Sequence, residues 1–221
     1  MPGAISRVLE WCLVDQLQGL VISTQNIVAL IGGTSHVGKS TLASQFSERS
    51  GWRYLSTDQF ARHPGRPWRN DDSSLSDDVR AHFRDLATAE TLDAVLSHYR
   101  SNVIPIAKTT IASHINNPFD PCLVLEGSAL LPELASTLDS ERVTSIWLTL
   151  PDDVVCERIY DESRYDRRSA EDQALINRFC DRTVAFSRWL GESAVANGFT
   201  LTDATSHEAH SILESLLRDS T

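Results

Sequence analysis

Residues 27–41 read Ile27-Val28-Ala29-Leu30-Ile31-Gly32-Gly33-Thr34-Ser35-His36-Val37-Gly38-Lys39-Ser40-Thr41. The first five are apolar, as a buried strand requires. Gly33 to Ser40 fits the spacing G-x-x-x-x-G-K-[ST] in full. A segment with Leu42 and Phe46 on one face follows and stops at Gly51, which predicts a helix starting near Lys39. Strand, glycine-rich turn and helix N-terminus in succession make an anion cradle. The glycines let the backbone turn tightly, successive N–H groups form a nest, and the helix adds its positive end. The loop Gly33, Thr34, Ser35, His36, Val37, Gly38 is therefore expected to wrap a phosphate chain. Lys39 would reach its outer phosphates, Ser40 would coordinate Mg²⁺ and Thr41 could touch an inner phosphate. His36 is read as a loop side chain facing solvent or substrate. The competing reading is a glycine-rich turn with an exposed lysine, and the strand before and helix after it weigh against that.

Outward from this stretch, strands and helices alternate. Strands are expected at Trp52–Ser56, Cys122–Leu125, Val143–Leu150 and Phe199–Leu201. Helices are expected within 75–116 with a break at Pro105, from Pro151 to about Tyr160, from Ala170 to Ala196, and from Ser206 to Arg218. Such alternation predicts a parallel sheet covered on both faces. The expected fold is a three-layer P-loop NTPase fold with five parallel strands and a helical lid. The spacing of Ile5, Val8, Leu9, Cys12, Leu13 and Leu17 predicts an N-terminal helix. The organisation read from this is a helical extension over 1–26 and one domain over 27–221. That domain carries an acceptor-binding insertion at about 58–116 and a lid at about 161–170.

Composition narrows the function. The chain has 221 residues, 41% of them hydrophobic, and a formal charge of −10. That balance argues for a folded α/β domain and against broad binding to nucleic acid or anionic membrane. No run approaches the roughly 20 apolar residues of a membrane helix, and the N-terminus lacks the pattern of a signal peptide. The four cysteines, Cys12, Cys122, Cys156 and Cys180, are far apart in sequence. They are read as thiols in a reducing, cytoplasmic setting.

Three further clusters carry chemistry. Asp58 follows the second strand, where a carboxylate can orient or deprotonate a hydroxyl across from a nucleotide phosphate; its alternative is a helix cap. Glu126 ends the third strand, and could orient metal-bound water or an acceptor hydroxyl, or simply cap the strand at the surface. The segment ARHPGRPWRN supplies Arg62, Arg66 and Arg69 for an anionic group and Trp68 for a ring or sugar face. A solvated basic loop is its alternative. The last cluster is Arg158, Arg164, Arg167 and Arg168. A lid needs positive charge over a transferring phosphoryl group and must exclude water; Arg164 and Arg168 are the preferred contacts. Arg178 and Arg182 follow at helical spacing and could line the same cleft.

The stretches GGTSHVGKST, WRYLSTDQF, LVLEGSALLPEL and PDDVVCERI to YDRRS together resemble the small-molecule kinases of the nucleoside-monophosphate-kinase-like P-loop group. Within it the chain is similar to 2-phosphoglycerate kinase and chloramphenicol phosphotransferase, over roughly residues 27–218. The resemblance implies an ATP- and Mg²⁺-dependent transfer of a phosphoryl group to a hydroxyl of a small molecule. That acceptor would be an acidic sugar-like metabolite, a nucleoside or an antibiotic. Asp58, Lys39, Arg164 and Arg168 would be catalytic. Arg62, Arg66, Trp68, Arg69 and Glu126 would bind the acceptor. A nucleotide-binding switch or regulatory ATPase without a small-molecule acceptor is the other class the phosphate loop would serve. The sequence leaves oligomeric state open.

Overall fold

The computed structural model describes residues 27–61, 65–68, 77–117, 119–139 and 141–219. The predicted N-terminal helix and the whole 1–26 extension lie outside them, as do Cys12, Arg62 and Arg69.

Five strands, β1 (Val28–Gly33), β2 (Arg53–Ser56), β3 (Leu123–Glu126), β4 (Val143–Thr149) and β5 (Leu201–Asp203), form one sheet in the order β2-β3-β1-β4-β5. Every pairing is parallel. The helices are α1 (Lys39–Ser50), α2 (Asp77–Asp85), α3 (Thr88–His98), α4 (Ile104–Asn116), α5 (Pro132–Ala135), α6 (Asp152–Ser163), α7 (Ala170–Ala196) and α8 (Glu208–Asp219). This is the three-layer P-loop NTPase fold expected from the sequence.

Alternation along β1 splits the apolar residues between two cores, because successive strand side chains point to opposite faces. Ala29 and Ile31 join the core built with Leu42 and Phe46 of α1 and Leu213 of α8. Val28 and Leu30 join the other, with Val95 of α3 and Ile111 of α4. The long helix α7 serves both: Leu175, Ile176 and Phe179 lie in the first core, Phe186 and Leu190 in the second. Its middle, at Thr183, is tied to the loop after β1, where the Thr34 hydroxyl donates to the Thr183 carbonyl at 3.4 Å.

Two differences from the sequence reading have local causes. The fifth strand starts at Leu201, two residues later than expected. Phe199 is used instead as a plug, its ring 4.6 Å from that of Trp147. At Pro105 the helix does not stop; a π turn over Tyr99–Val103 carries the chain from α3 into α4. Proline offers no N–H, and the shifted register is satisfied as Ile104 N–H donates to Tyr99.

The cysteine reading is corrected. Cys156 and Cys180 are joined in a disulfide, not both free thiols. They are 24 residues apart in sequence, but α6 packs on α7 and brings their Cα atoms to 5.7 Å. Cys122 is a free thiol. Closing a loop of this length is worth about 3 kcal/mol in the chain-entropy picture. Alkylation of the oxidised native chain should therefore spare Cys156 and Cys180. The Cys156→Ser/Cys180→Ser double variant should unfold at lower denaturant by about that free energy. Labelling of both cysteines without reductant would disprove the bond.

Candidate active site

The carboxyl ends of β1, β2 and β3 meet at one edge of the sheet, where an open α/β sheet presents its crevice. A cleft of about 340 Å³ lies there. Ser35, His36, Gly38, Lys39, Ser40 and Thr41 line it from the loop, and Asp58, Glu126 and Ser128 from the neighbouring strand ends. Arg66, Arg158 and Glu162 cover it.

The loop has its shape because three of its residues have positive φ: Gly33, at 136°, His36 and Gly38. Gly38 caps α1 at φ 97° with no side-chain cap, so the first amides of the helix are left to the cleft. His36 lies in the left-handed region at φ 66°, which costs a non-glycine residue about 1 kcal/mol. That strain is held by contacts. The His36 carbonyl accepts from Arg158 at 3.0 Å, and its imidazole Nε2 lies 2.8 Å from Glu162, off the line of a full hydrogen bond. The ring also packs near Trp68 and Phe179, with centroids at 6.0 and 6.1 Å. Burial, and then the Arg66 charge, lower its pKa to about 4, against the opposing pull of Glu162. His36 is therefore neutral near pH 7, a wedge between loop and cover rather than an open loop side chain.

Lys39 is buried. Its ammonium donates to the Thr34 carbonyl at 2.6 Å. Burial lowers its pKa, and the charges of Glu126 and Asp58 oppose that. Both carboxylates thus act on the one ammonium. Glu126 is buried, not a surface cap. It accepts from the Tyr54 hydroxyl at 3.1 Å. The pKa of that hydroxyl is raised to about 12 by burial and then by Glu126, with Ser40 acting in the opposite direction. Ser40, Tyr54 and Glu126 therefore form a row of oxygens along the loop. Gly127 lets this row sit so close to β2. It has φ 151°, and a Cβ there would lie 1.7 Å from the Thr57 hydroxyl.

Asp58 stands in a 3₁₀ turn after β2 and is exposed to the cleft. It does not cap the turn. Ser56 does, its hydroxyl accepting from the Asp58 amide at 3.3 Å.

The arginines sort differently from expectation. Arg66 reaches the cleft and is hydrogen-bonded to Glu162. Trp68 does not line the cleft; it is 5% exposed, its ring edge-on to Phe179 at 4.9 Å. Arg164 and Arg168, the preferred lid contacts, do not line it either. Arg164 ends α6 in the left-handed region and borders a separate surface depression with Tyr160 and Tyr165. Arg168 turns back to the Ser163 carbonyl at 2.7 Å. The cover comes from α6 itself, through Arg158 and Glu162. Arg158 belonged to the predicted cluster; Glu162 was missed. The two are four apart on α6, so helical spacing from Arg158 would have found it.

No model of a known protein family matches the chain, and no curated protein matches it. Solved structures do. A gluconokinase from Sinorhizobium meliloti 1021 is 15% identical over 89% of this chain and 95% of its own, with a TM-score of 0.44. A sugar kinase from Janibacter sp. HTCC2649 is 16% identical over 87% and 93%, at 0.40. A shikimate kinase from Acinetobacter baumannii is 15% identical over 89% and 95%, at 0.39. These are distant likenesses, of the fold alone.

The His36 environment has a pH signature. Its folded pKa lies below the ordinary 6.5, so the unfolded chain binds more protons between about pH 4 and 6.5. Stability from keeping His36 neutral is complete above that window and is lost as pH falls through it. An NMR titration of the ring should give a midpoint near 4. Thermal melts of His36→Gln should depend less on pH across the window than those of the wild type. A midpoint near 6.5 would contradict the burial of the ring beside Arg66.

Proposed function

We propose that the cleft is the active site of an ATP-dependent kinase that phosphorylates a hydroxyl of a small molecule. The observation that carries this reading is that Lys39 and Asp58 face one cleft, at the carboxyl ends of β1 and β2 on either side of β3. A loop built only to hold nucleotide has no use for a second, exposed carboxylate facing its lysine.

In this reading the loop amides and Lys39 hold the β- and γ-phosphates. The acceptor hydroxyl sits by Asp58. Its oxygen attacks the γ-phosphorus, the bond to the β–γ bridging oxygen breaks, ADP leaves, and the hydroxyl proton passes to Asp58. Arg158 and Arg66 replace Arg164 and Arg168 as the cations over the transferring group. Arg66 would first leave Glu162. Opposite charge on the developing oxyanions, fixed in a dry cleft, is the main source of rate in such a transfer. Ser40 and the neighbouring Glu126 are hard oxygen donors that fit Mg²⁺, which keeps most of its shell for phosphate and water. When bound, that cation would neutralise charge on the phosphates.

The motif likeness to 2-phosphoglycerate kinase favours an acidic metabolite, and that to chloramphenicol phosphotransferase an antibiotic or nucleoside.

Asp58→Asn should lower kcat by about 10²–10⁴ for the best acceptor, with the KM for ATP little changed. Acceptor-dependent ADP release measured on both proteins decides it. Near-normal turnover removes Asp58 from proton transfer. Slow ADP release indifferent to every acceptor would favour a regulatory ATPase or switch.

A further inference from the structure

Arg182, in the middle of α7, is a cation with no anion paired to it among the described residues. Its guanidinium lies over the ring of Phe179 at 4.7 Å and over that of Phe83 at 5.4 Å. The residue is half-buried, and desolvation of the guanidinium is strong enough to lower its pKa. The other arginines of this region are satisfied. Arg178, one turn earlier, donates to the carbonyls of Phe83, Arg84 and Leu86. Arg80 pairs with Glu171 and Asp172. Arg182 makes no ion pair and no hydrogen bond among the described residues. Aromatic faces offset only part of the cost of desolvating a charge. A stable fold gains nothing from such a group, and a hydrophobic side chain would serve the packing better.

Its surroundings lead back to the cleft. Tyr99 opens the π turn. Its hydroxyl is buried, and Arg182, Asp58 and Ser128 all act on it electrostatically. Ser128 lines the cleft beside Asp58. On the other side, Phe179 carries Arg182 on its face and meets Trp68 and His36 at its edges. His82 of α2 is the remaining titratable neighbour; burial and then Arg182 lower its pKa, so it adds no second positive charge near pH 7. The described surroundings therefore offer one positive charge, one phenol hydroxyl and apolar walls.

We propose that Arg182 and Tyr99 form the anion subsite for the phosphoryl acceptor, and that the acceptor is a hydroxy acid whose carboxylate meets Arg182 while its hydroxyl reaches Asp58. This rests on the kinase reading of the cleft. A carboxylate suits the subsite because one guanidinium fork balances one negative charge bidentately. A phosphate dianion would be left half compensated. The aromatic walls then face the carbon frame between the two polar ends.

The test is a panel of sugar acids and other hydroxy acids, each paired with its neutral carboxamide and, where it exists, its phosphomonoester analogue. ADP release is measured with wild type, Arg182→Gln and Arg182→Lys. Wild type should prefer the acid of each productive pair. In Arg182→Gln the KM for the acid should rise on the order of 100-fold, with kcat changed far less and the KM for the carboxamide unchanged. Arg182→Lys should recover part of the loss. The melting temperature of Arg182→Gln should equal or exceed that of wild type, because an uncompensated charge is removed. Should Arg182→Gln fail to fold, the acid-to-amide ratio of wild type and Arg182→Lys still decides. Equal use of acid and amide, a preference for phosphomonoesters, or an acid-to-amide ratio the variants leave unchanged overturns the subsite. A panel without any acceptor-dependent ADP release overturns the kinase reading beneath it.

Discussion

A buried ammonium organises this fold. Lys39 sits at the start of a helix, 2.6 Å from a carbonyl of its own loop, in a place where an unpaired charge would be prohibitive. Keeping it there requires negative charge close by, and the topology supplies it. Placing β3 between β1 and β2 brings Glu126 alongside the loop and Asp58 just beyond. The strand order is therefore more than a way to cover two faces. With β2 directly beside β1, Asp58 and Glu126 would exchange places, and the exposed carboxylate would no longer stand at the outer side of the cleft.

The legible part of this arrangement followed from local physics. A period-two apolar run, a glycine pattern and a helix start were enough for the loop, because each residue there is constrained by its immediate neighbours. The bounds of α7, from Ala170 to Ala196, were legible for the same reason: Ser169 caps one end, accepting from Asp172, and apolar spacing runs unbroken to Gly198. The cover was not legible. Four arginines between 158 and 168 look alike in a sequence, and only the direction of α6 decides which of them face the loop. Arg164 falls at the left-handed end of that helix and turns away. Trp68 misled for a related reason. A tryptophan among arginines and prolines reads as a ligand platform, yet a large apolar ring is buried wherever a partner such as Phe179 is in reach.

Glu162 is the carboxylate on the covered side of the cleft. It lies against His36 and Arg66, a carboxylate where phosphates would pass. Such a group satisfies Arg66 and steadies the strained His36, and it repels a triphosphate. Entry of nucleotide would therefore be coupled to the release of Glu162 from Arg66. The linkage of α6 to α7 through Cys156 and Cys180 confines that release to side chains and the C-terminal turn of α6, because the middle of the helix is fastened.

In the kinase reading, the donor and acceptor halves are joined through α7. Thr183 fixes the phosphate loop through Thr34, and its neighbour Arg182 lies over the aromatic wall. Adjacent residues on one helix thus set the position of the phosphate chain and of the proposed acceptor anion. A site that must hold two reactants within a few tenths of an ångström gains from such a common mount, since a rigid element cannot move one end without the other. A loop could carry the same side chains but would allow them to drift independently. The two cores that grip α7 on either side of Thr183 would in that reading be part of the chemistry: their packing would set the distance over which a hydroxyl reaches a phosphate.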